Sequence, residues 1–279
     1  MIGVESSRVM RAAPRKAAER VEASVPWDFS RKYAAVHHSG TISVENARKR
    51  SKIGRVMKVE TFETPQDAAK ALAGEVAELI RTRAAEGKNV VLGLATGATP
   101  LPFYAELVRM HKEEGLSFAN VISFNLDEYS GLDRDHPESY WYFMHTNLFN
   151  HIDIKPENIN LPSGTVKDDE IAAHCAAYEQ KIKDCGGIDL QILGIGRTGH
   201  IGFNEPGSDD TTVTRQVHLD ELTRSDAAPA FGGIENVPTT AITMGVATIM
   251  GAREVALMAW GEKKASIVKK AVQGPVTVD

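Results

Sequence analysis

The sequence predicts an α/β fold in a single domain, with a mostly parallel, Rossmann-like sheet and helices on both of its faces. Two observations predict it. Short apolar runs alternate along the chain with segments whose apolar residues recur at helical spacing. Several of these runs, such as residues 89–94, are uninterrupted and of strand length, as buried strands are.

The first 56 residues differ in composition from the rest and are expected to form a basic N-terminal extension. They hold 12 Lys and Arg against 5 Asp and Glu, although the whole chain has a net charge of −5. Residues 8–23 favour a helix, and residues 48–52 form a basic run of the kind that usually lies on a solvated surface. The change in composition predicts that the α/β domain covers residues 57–279.

The domain is predicted to begin with two strand–helix units. Residues 56–62 alternate in the manner of a strand, and Pro65 begins a helix that Gly87 ends. The next strand, residues 89–94, leads into a Thr-Gly-Ala-Thr-Pro loop at 96–100 and a second helix. Free N–H groups and hydroxyls at a helix start favour an anion, but Thr and Gly are also ordinary N-cap residues.

The third strand, residues 121–126, is expected to end in an acidic triplet at 127–129, Asp-Glu-Tyr. Acids at the carboxyl end of a parallel strand face the ligand crevice, where a carboxylate can act as a general base. A surface or helix-capping acid is the alternative interpretation of the triplet alone. Residues 136–139, His-Pro-Glu-Ser, then predict the capped start of a helix, and residues 168–183 predict another.

The chain is organised around residues 194–207, which follow a predicted buried strand at 188–193. The glycines at 194, 196, 199 and 202 let the backbone turn sharply and approach its neighbours closely. The same bend carries an imidazole, His200, and a carboxylate, Glu205, at the place where an open α/β sheet puts its chemistry. The last predicted elements are a strand at 255–260 and a helix at 262–272.

Composition excludes several other classes. The 42% hydrophobic and 25% charged residues are those of an ordinary globular protein. No apolar run approaches the roughly 20 residues of a membrane span. The two cysteines, Cys175 and Cys185, match no common zinc pattern and no disulfide framework, so a cytoplasmic location is expected. The net charge of −5 gives no reason to expect nucleic-acid binding.

Four motifs together resemble the glucosamine-6-phosphate deaminase family. They are residues 93–100 (GLATGATP), 124–129 (FNLDEY), 136–140 (HPESY) and 199–206 (GHIGFNEP), in this order and at matching separations. The resemblance runs from about residue 57 to the end, although the chain stops before the family's usual C-terminus. It implies isomerisation and deamination of glucosamine 6-phosphate to fructose 6-phosphate and ammonia, without a metal or an organic cofactor.

The resemblance also implies a role for each matching residue. Asp127 is expected to move the proton from C2 to C1, His200 to open the pyranose ring, and Glu205 to orient and charge the imidazole. An imidazole titrates near neutrality, which suits the passage of a proton to the ring oxygen. The substrate's phosphate is expected to bind Thr96, Gly97, Ala98, Thr99 and Lys264.

The chain departs from the family's pattern at two places that matter for the site. Thr198 stands where the family usually has an Asp, so the relay is expected to rest on Glu205 or on the threonine hydroxyl, with slower ring opening. The family's second phosphate-binding Arg falls near residues 228–230, which hold no basic residue. Arg197 or Arg224 is the expected replacement.

Two other functions stay open: a hydrolase like 6-phosphogluconolactonase, which has a related fold, and a catalytically weak sugar-phosphate sensor. Residues 204–206 (Asn-Glu-Pro) and the triplet at 127–129 favour the deaminase over the lactonase. Members of the family are commonly homo-oligomers, often hexamers. The expected partners are therefore a small phosphosugar and further copies of the chain, with neither nucleic acid nor membrane.

Overall fold

A computed structural model describes residues 20–24, 32–37 and 56–275, with side chains from residue 58 onward. The strands are β1 (Arg20–Ser24), β2 (Lys32–His37), β3 (Val56–Phe62), β4 (Val90–Leu94), β5 (Val121–Asn125), β6 (Asp127–Tyr129), β7 (Ile159–Asn160), β8 (Leu190–Leu193), β9 (Arg215–His218), β10 (Thr240–Thr243) and β11 (Glu254–Ala259). The helices are α1 (Pro65–Ala85), α2 (Leu101–Glu114), α3 (Tyr140–Asn147), α4 (Ile171–Asp184), α5 (Glu221–Phe231), α6 (Val246–Met250) and α7 (Ala265–Gln273).

The main sheet has eight strands in the order β1-β3-β2-β11-β8-β4-β5-β7. Every neighbouring pair is parallel except β1 with β3. This confirms the mostly parallel α/β fold predicted from the alternation of strands and helices. The strands β8, β4 and β5 lie side by side, so their carboxyl ends meet at one edge of the sheet.

Two strands come from the segment that the composition assigns to an extension. The strand β2 lies between β3 and β11 and pairs in parallel with both, and β1 pairs with β3. The composition boundary near residue 56 therefore does not coincide with an edge of the sheet. The helix predicted for residues 8–23 is wrong at residues 20–23, which are strand; residues 8–19 and the basic run at 48–52 lie outside the described residues.

Helices cover both faces of the sheet, as predicted. The first helix, α1, begins at Pro65 because Thr64 caps it, its hydroxyl accepting a hydrogen bond from Asp67 N at 3.1 Å. On one face, α1 and α2 pack against the sheet through a cluster of buried side chains. These are Leu72, Val76, Ile80, Phe103 and Leu107 from the helices and Val90, Leu92 and Ile192 from the strands. On the other face, α4 and α6 contribute Tyr178, Ile182 and Ile249 to a cluster with Val91, Phe124, Leu193 and Val255.

A second, smaller sheet changes the predicted position of the acidic triplet. The strand β5 ends at Asn125, and β6 begins a separate antiparallel sheet in the order β6-β10-β9. Leu126 marks the crossing: its N–H still bonds to Leu94 O in the main sheet, whereas its carbonyl accepts from Met244 N near β10. Asp127 then pairs with Thr243. The triplet is thus a strand of its own, not the end of β5.

The remaining differences are at helix boundaries. A 3₁₀ turn at Phe149–His151 follows α3, α4 begins at Ile171 instead of residue 168, and a 3₁₀ turn at Glu262–Lys264 precedes α7. The strands β7, β9 and β10 and the helices α5 and α6 were not predicted. Within the described part of the chain, no helix is long and apolar enough to cross a membrane.

Candidate active site

Three loops meet where β8, β4 and β5 end. The loop after β4 touches the loop after β8, because a Cβ placed on Gly194 would lie 3.9 Å from Thr99 Cβ. The loop after β8 also reaches β6: a Cβ on Gly202 would lie 3.3 Å from Asp127 Oδ2. The structure therefore brings the predicted phosphate loop, Asp127 and the glycine-rich bend together at one edge of the sheet.

Asp127 is the buried acid at this edge and is 5% exposed. Burial and, to a smaller extent, the neighbouring carboxylate of Glu128 together raise the pKa of its carboxyl to about 8. A carboxylate with a raised pKa is a stronger base than one in water, which suits the removal of a proton from carbon.

Glu128 is a structural residue that sequence reasoning did not assign. Its carboxylate accepts hydrogen bonds from the N–H groups of Tyr129, Tyr140 and Trp141, each at 2.9 Å. Two of these donors belong to the first turn of α3, where free N–H groups and the helix dipole favour a negative charge. Burial raises the pKa of Glu128 to about 7, and the three hydrogen bonds oppose the rise. Glu128 thus fixes α3 to the strand that carries Asp127.

Tyr140, the first residue of α3, links this strand to the phosphate loop. Its hydroxyl forms side-chain hydrogen bonds with Thr96 and Tyr129, and burial raises its pKa well above the usual value. On the other side of the loop, Trp260 Nε1 donates to Thr99 O at 2.8 Å. The loop at 96–99 is therefore held from both sides, while Gly97 and Ala98 between these contacts remain exposed.

The imidazole of His200 is held by two side chains of its own loop. Its Nδ1 lies 2.9 Å from Thr198 Oγ1 and 3.0 Å from Glu205 Oε1. The Thr198 hydroxyl donates its proton to Glu205 Oε2 at 2.7 Å. The predicted relay therefore contains the threonine hydroxyl and Glu205 together, instead of one of them alone.

These contacts assign the tautomer of His200. The only proton of the Thr198 hydroxyl goes to Glu205, so its oxygen can only accept from the imidazole, and Glu205 is an acceptor when ionised. Nδ1 therefore carries a proton, and Nε2 is left to exchange one with a ligand. The ring also packs on Gly196, where a Cβ would overlap it.

Two cations lie near each other at the mouth of the site. Lys264 is half-buried, and its Nζ donates to Ile195 O at 2.8 Å. Burial lowers its pKa, the Asp226 carboxylate raises it, and the Arg197 guanidinium lowers it. Arg197 is about half exposed and its Nη2 lies 3.0 Å from Asp226 Oδ1.

Arg224, the other candidate cation, is used within the fold. Its Nη2 donates to the carbonyls of Ile234 and Val237, at 2.8 and 3.1 Å. The described residues contain no group of three or more His, Cys, Asp or Glu side chains that could hold a metal ion.

Residues 63–278 match the model of the family described as glucosamine-6-phosphate isomerases/6-phosphogluconolactonase. The chain belongs to this family. It is 48% identical over 206 residues to a glucosamine-6-phosphate deaminase of Thermoanaerobacter sp. X514, covering 74% of this chain and 81% of that one. It is 52% identical over 191 residues to a glucosamine-6-phosphate deaminase of Lysinibacillus sphaericus, covering 68% and 80%.

A third relative is much longer than this chain. A putative glucosamine-6-phosphate deaminase-like protein of Bacteroides thetaiotaomicron is 46% identical over 235 residues, which are 84% of this chain but 35% of that protein. The chain therefore spans about a third of that relative, and about four-fifths of the other two.

Solved structures agree with the fold. A protein described as a monomeric glucosamine-6-phosphate deaminase superposes with a TM-score of 0.74 at 41% identity, covering 78% of this chain and 88% of that one. A 6-phosphogluconolactonase of Trypanosoma brucei superposes with a TM-score of 0.61 at 20% identity, covering 77% and 86%, and shares the fold alone.

Proposed function

We propose that this chain converts glucosamine 6-phosphate and water into fructose 6-phosphate and ammonia. The observation that carries the proposal is the placement of two unlike proton carriers at one edge of the sheet. A buried carboxylate, Asp127, lies against the loop that holds the imidazole of His200 with its Nδ1–H directed at Thr198 and Glu205. Isomerisation of a cyclic amino sugar needs both, because the ring must open before a proton can leave C2.

The imidazole serves the first step. Nε2 of His200 takes the proton from the hydroxyl at C1 and passes it to the ring oxygen, so the C1–oxygen bond of the ring breaks and an aldehyde forms. Nδ1–H faces Glu205, so the transient positive charge of the ring is stabilised by the ionised carboxylate.

The carboxylate serves the second step. Ionised Asp127 removes the C2 proton to give an enolamine and returns a proton to C1, which leaves an imine at C2. Water adds to C2 and ammonia departs, so the net reaction is a hydrolytic deamination. The raised pKa of Asp127 assists proton removal because a more basic carboxylate holds the transferred proton more strongly.

The phosphate is proposed to lie between the loop after β4 and the two cations. The exposed backbone of Gly97 and Ala98 offers N–H groups, and Thr96 and Thr99 flank them. Lys264 is at the position that resembles the family's phosphate-binding lysine, and Arg197 is proposed to replace the arginine that residues 228–230 lack. A bound phosphate would compete with Asp226 for Arg197, since Asp226 Oδ1 lies 3.0 Å from Arg197 Nη2.

One assay tests the reaction. Ammonia and fructose 6-phosphate are measured after the protein is mixed with glucosamine 6-phosphate, beside a parallel assay with 6-phosphogluconolactone. We expect equal amounts of the two products and no lactone hydrolysis. Lactone hydrolysis without ammonia would select the lactonase, and saturable binding of glucosamine 6-phosphate without turnover would select the sensor.

A second assay tests the phosphate site. Lys264→Met is expected to raise KM about tenfold and Arg197→Ala three- to fivefold, because each removes one charge–phosphate contact. Lys263→Ala is the matched control, since Lys263 is exposed in the same turn. A KM within twofold of wild type for Arg197→Ala would remove that residue from the site.

Assembly and location stay predictions. The solved relative with the TM-score of 0.74 is described as monomeric, whereas the motifs resemble a family that is commonly oligomeric. Light scattering on the purified chain distinguishes a monomer from a homo-oligomer as large as a hexamer. Fractionation of the source cells tests the expected cytoplasmic location.

A further inference from the structure

The helix α5 contacts the relay of His200 through one hydroxyl. Thr223 Oγ1 donates to Glu205 Oε1 at 2.5 Å. Thr223 lies in the first turn of the helix, which is fixed by its N-cap: Asp220 Oδ1 accepts from Leu222 N at 2.8 Å. The hydroxyl is thus delivered by an element that is 18 residues away from Glu205 along the chain.

The two oxygens of Glu205 are then fully engaged. Oε2 accepts from Thr198, and Oε1 is shared by Thr223 and the imidazole N–H of His200. Three donors on one carboxylate determine both its position and the rotation of its plane. Without Thr223, Oε1 would keep the imidazole as its sole partner among these three, and the carboxylate could turn away from it.

The contact is not a by-product of deep packing. None of the eleven residues of α5, all of which the structure describes, is fully buried. The helix touches the His200 loop through polar groups three residues apart on one of its faces: Thr223 meets Glu205, and Asp226 meets Arg197. The contact with Glu205 is thus made by a hydroxyl on the polar face of the helix, whereas Ala227, Ala228 and Phe231 make its apolar contacts.

We propose that Thr223 is a positioning residue for ring opening, which acts by holding the Glu205 carboxylate against Nδ1 of His200. The inference rests on the proposed deaminase function and adds a residue to it. Thr223 touches neither the sugar nor the reacting atoms in this scheme. Its loss should therefore slow turnover without weakening substrate binding.

Steady-state kinetics of three variants test the proposal. Thr223→Val keeps the shape and removes the hydroxyl; it is expected to lower kcat five- to twentyfold with KM within twofold of wild type. Thr223→Ser restores the hydroxyl and should return kcat to within twofold. Ser225→Ala, an exposed hydroxyl on the same helix, should have no effect. An unchanged kcat in Thr223→Val, or no recovery in Thr223→Ser, overturns the proposal.

A double-mutant cycle with Glu205→Gln identifies the route of the effect. If Thr223 acts through Glu205, Thr223→Val costs less than twofold in kcat when Glu205 is already replaced. The same five- to twentyfold loss in both backgrounds would show that Thr223 acts elsewhere.

Spectroscopy separates this inference from the proposed function. In protein labelled with ¹⁵N-histidine, the Nδ1–H signal of His200 is identified by its loss in His200→Gln. It should shift in Thr223→Val and stay in place in Ser225→Ala, even if the wild-type protein releases no ammonia. An unmoved signal in Thr223→Val overturns the contact, whereas absent turnover alone overturns only the deaminase reaction.

Discussion

The two proton carriers of the site are supported in opposite ways. Asp127 belongs to a strand, is 5% exposed and owes its raised pKa mainly to burial. His200 lies in a glycine-rich loop, its side chain is 18% exposed, and its tautomer and orientation are set by the side chains of Thr198 and Glu205. One group is adjusted by the removal of water, the other by hydrogen bonds.

The difference explains where this chain tolerates a change from its family's pattern. A buried acid cannot be altered without changing the wall of the sheet around it. The hydrogen bonds around His200 can be made by a different oxygen-bearing side chain, because Thr198 bridges the imidazole and Glu205 at 2.9 and 2.7 Å. The missing aspartate is thus replaced by a neutral hydroxyl that passes the interaction on to a carboxylate.

The largest effect is expected on the buried side. Asp127→Asn removes the base and should lower kcat about 10³-fold, within the range for loss of general acid–base catalysis. Ammonia release and incorporation of solvent deuterium at C1 of the product are measured together, and both should fall. Asp133→Asn, an exposed acid, is the control. Near-normal turnover in Asp127→Asn would mean that the buried carboxylate is not the base.

A smaller loss, about 10²-fold in kcat, is expected for His200→Gln, because some sugar opens its ring without help. The turnover that remains should still place solvent deuterium at C1, since Asp127 is intact. His218→Gln serves as control, as His218 is exposed on β9. Loss of deuterium incorporation from the residual product would contradict the division of labour between the two groups.

The bridge itself should matter less. Thr198→Val removes one hydrogen bond to each neighbour and should lower kcat about five- to tenfold, which corresponds to about 1–1.5 kcal/mol. Thr198→Ser keeps the hydroxyl and is expected to stay within twofold of wild type. If Thr198→Val matches wild type, the direct contact of His200 with Glu205 is sufficient and the hydroxyl is not part of the relay.

The last prediction concerns the pH dependence of the reaction, not a loss of turnover in a variant. Asp127 acts ionised, so kcat/KM should rise with pH until about 8, the value to which burial raises its pKa. Glu128→Gln removes the neighbouring negative charge and should move this rise to lower pH. The stability of the fold is expected to change in the opposite direction. In the folded protein the pKa of Asp127 lies above the ordinary value near 4, so protonated Asp127 stabilises the fold. This stabilisation is lost as pH rises from about 4 through 8. Thermal unfolding at several pH values measures this loss.

Sequence reasoning located the site better than it located the elements that complete it. Local signals are strong where glycines, prolines and capping residues mark a strand or helix end, as at Pro65. Five strands of the main sheet, and the residues that follow them, were therefore recognisable along the chain. The sequence did not reveal that Asp127 lies in a second sheet, because its strand partner Thr243 is more than a hundred residues away along the chain.

The helix α5 was missed for a related reason. Its sequence has Pro229 in its interior and Gly232 and Gly233 after it, and its only large apolar residues are Leu222 and Phe231, too few for the apolar stripe that predicts a helix. Asp220, a good N-cap residue, was the available signal. The role of Thr223 follows only from tertiary contact with Glu205.

Position 196 is restricted to glycine by the side chain of His200, not by the conformation of its own backbone. Its φ is not in the left-handed region, so the chain's path there would accept any L-amino acid. The imidazole of His200 nevertheless occupies the space of a Cβ. A saturation library would therefore find every substitution at 196 inactive yet folded, and second-site revertants should restore room around the ring.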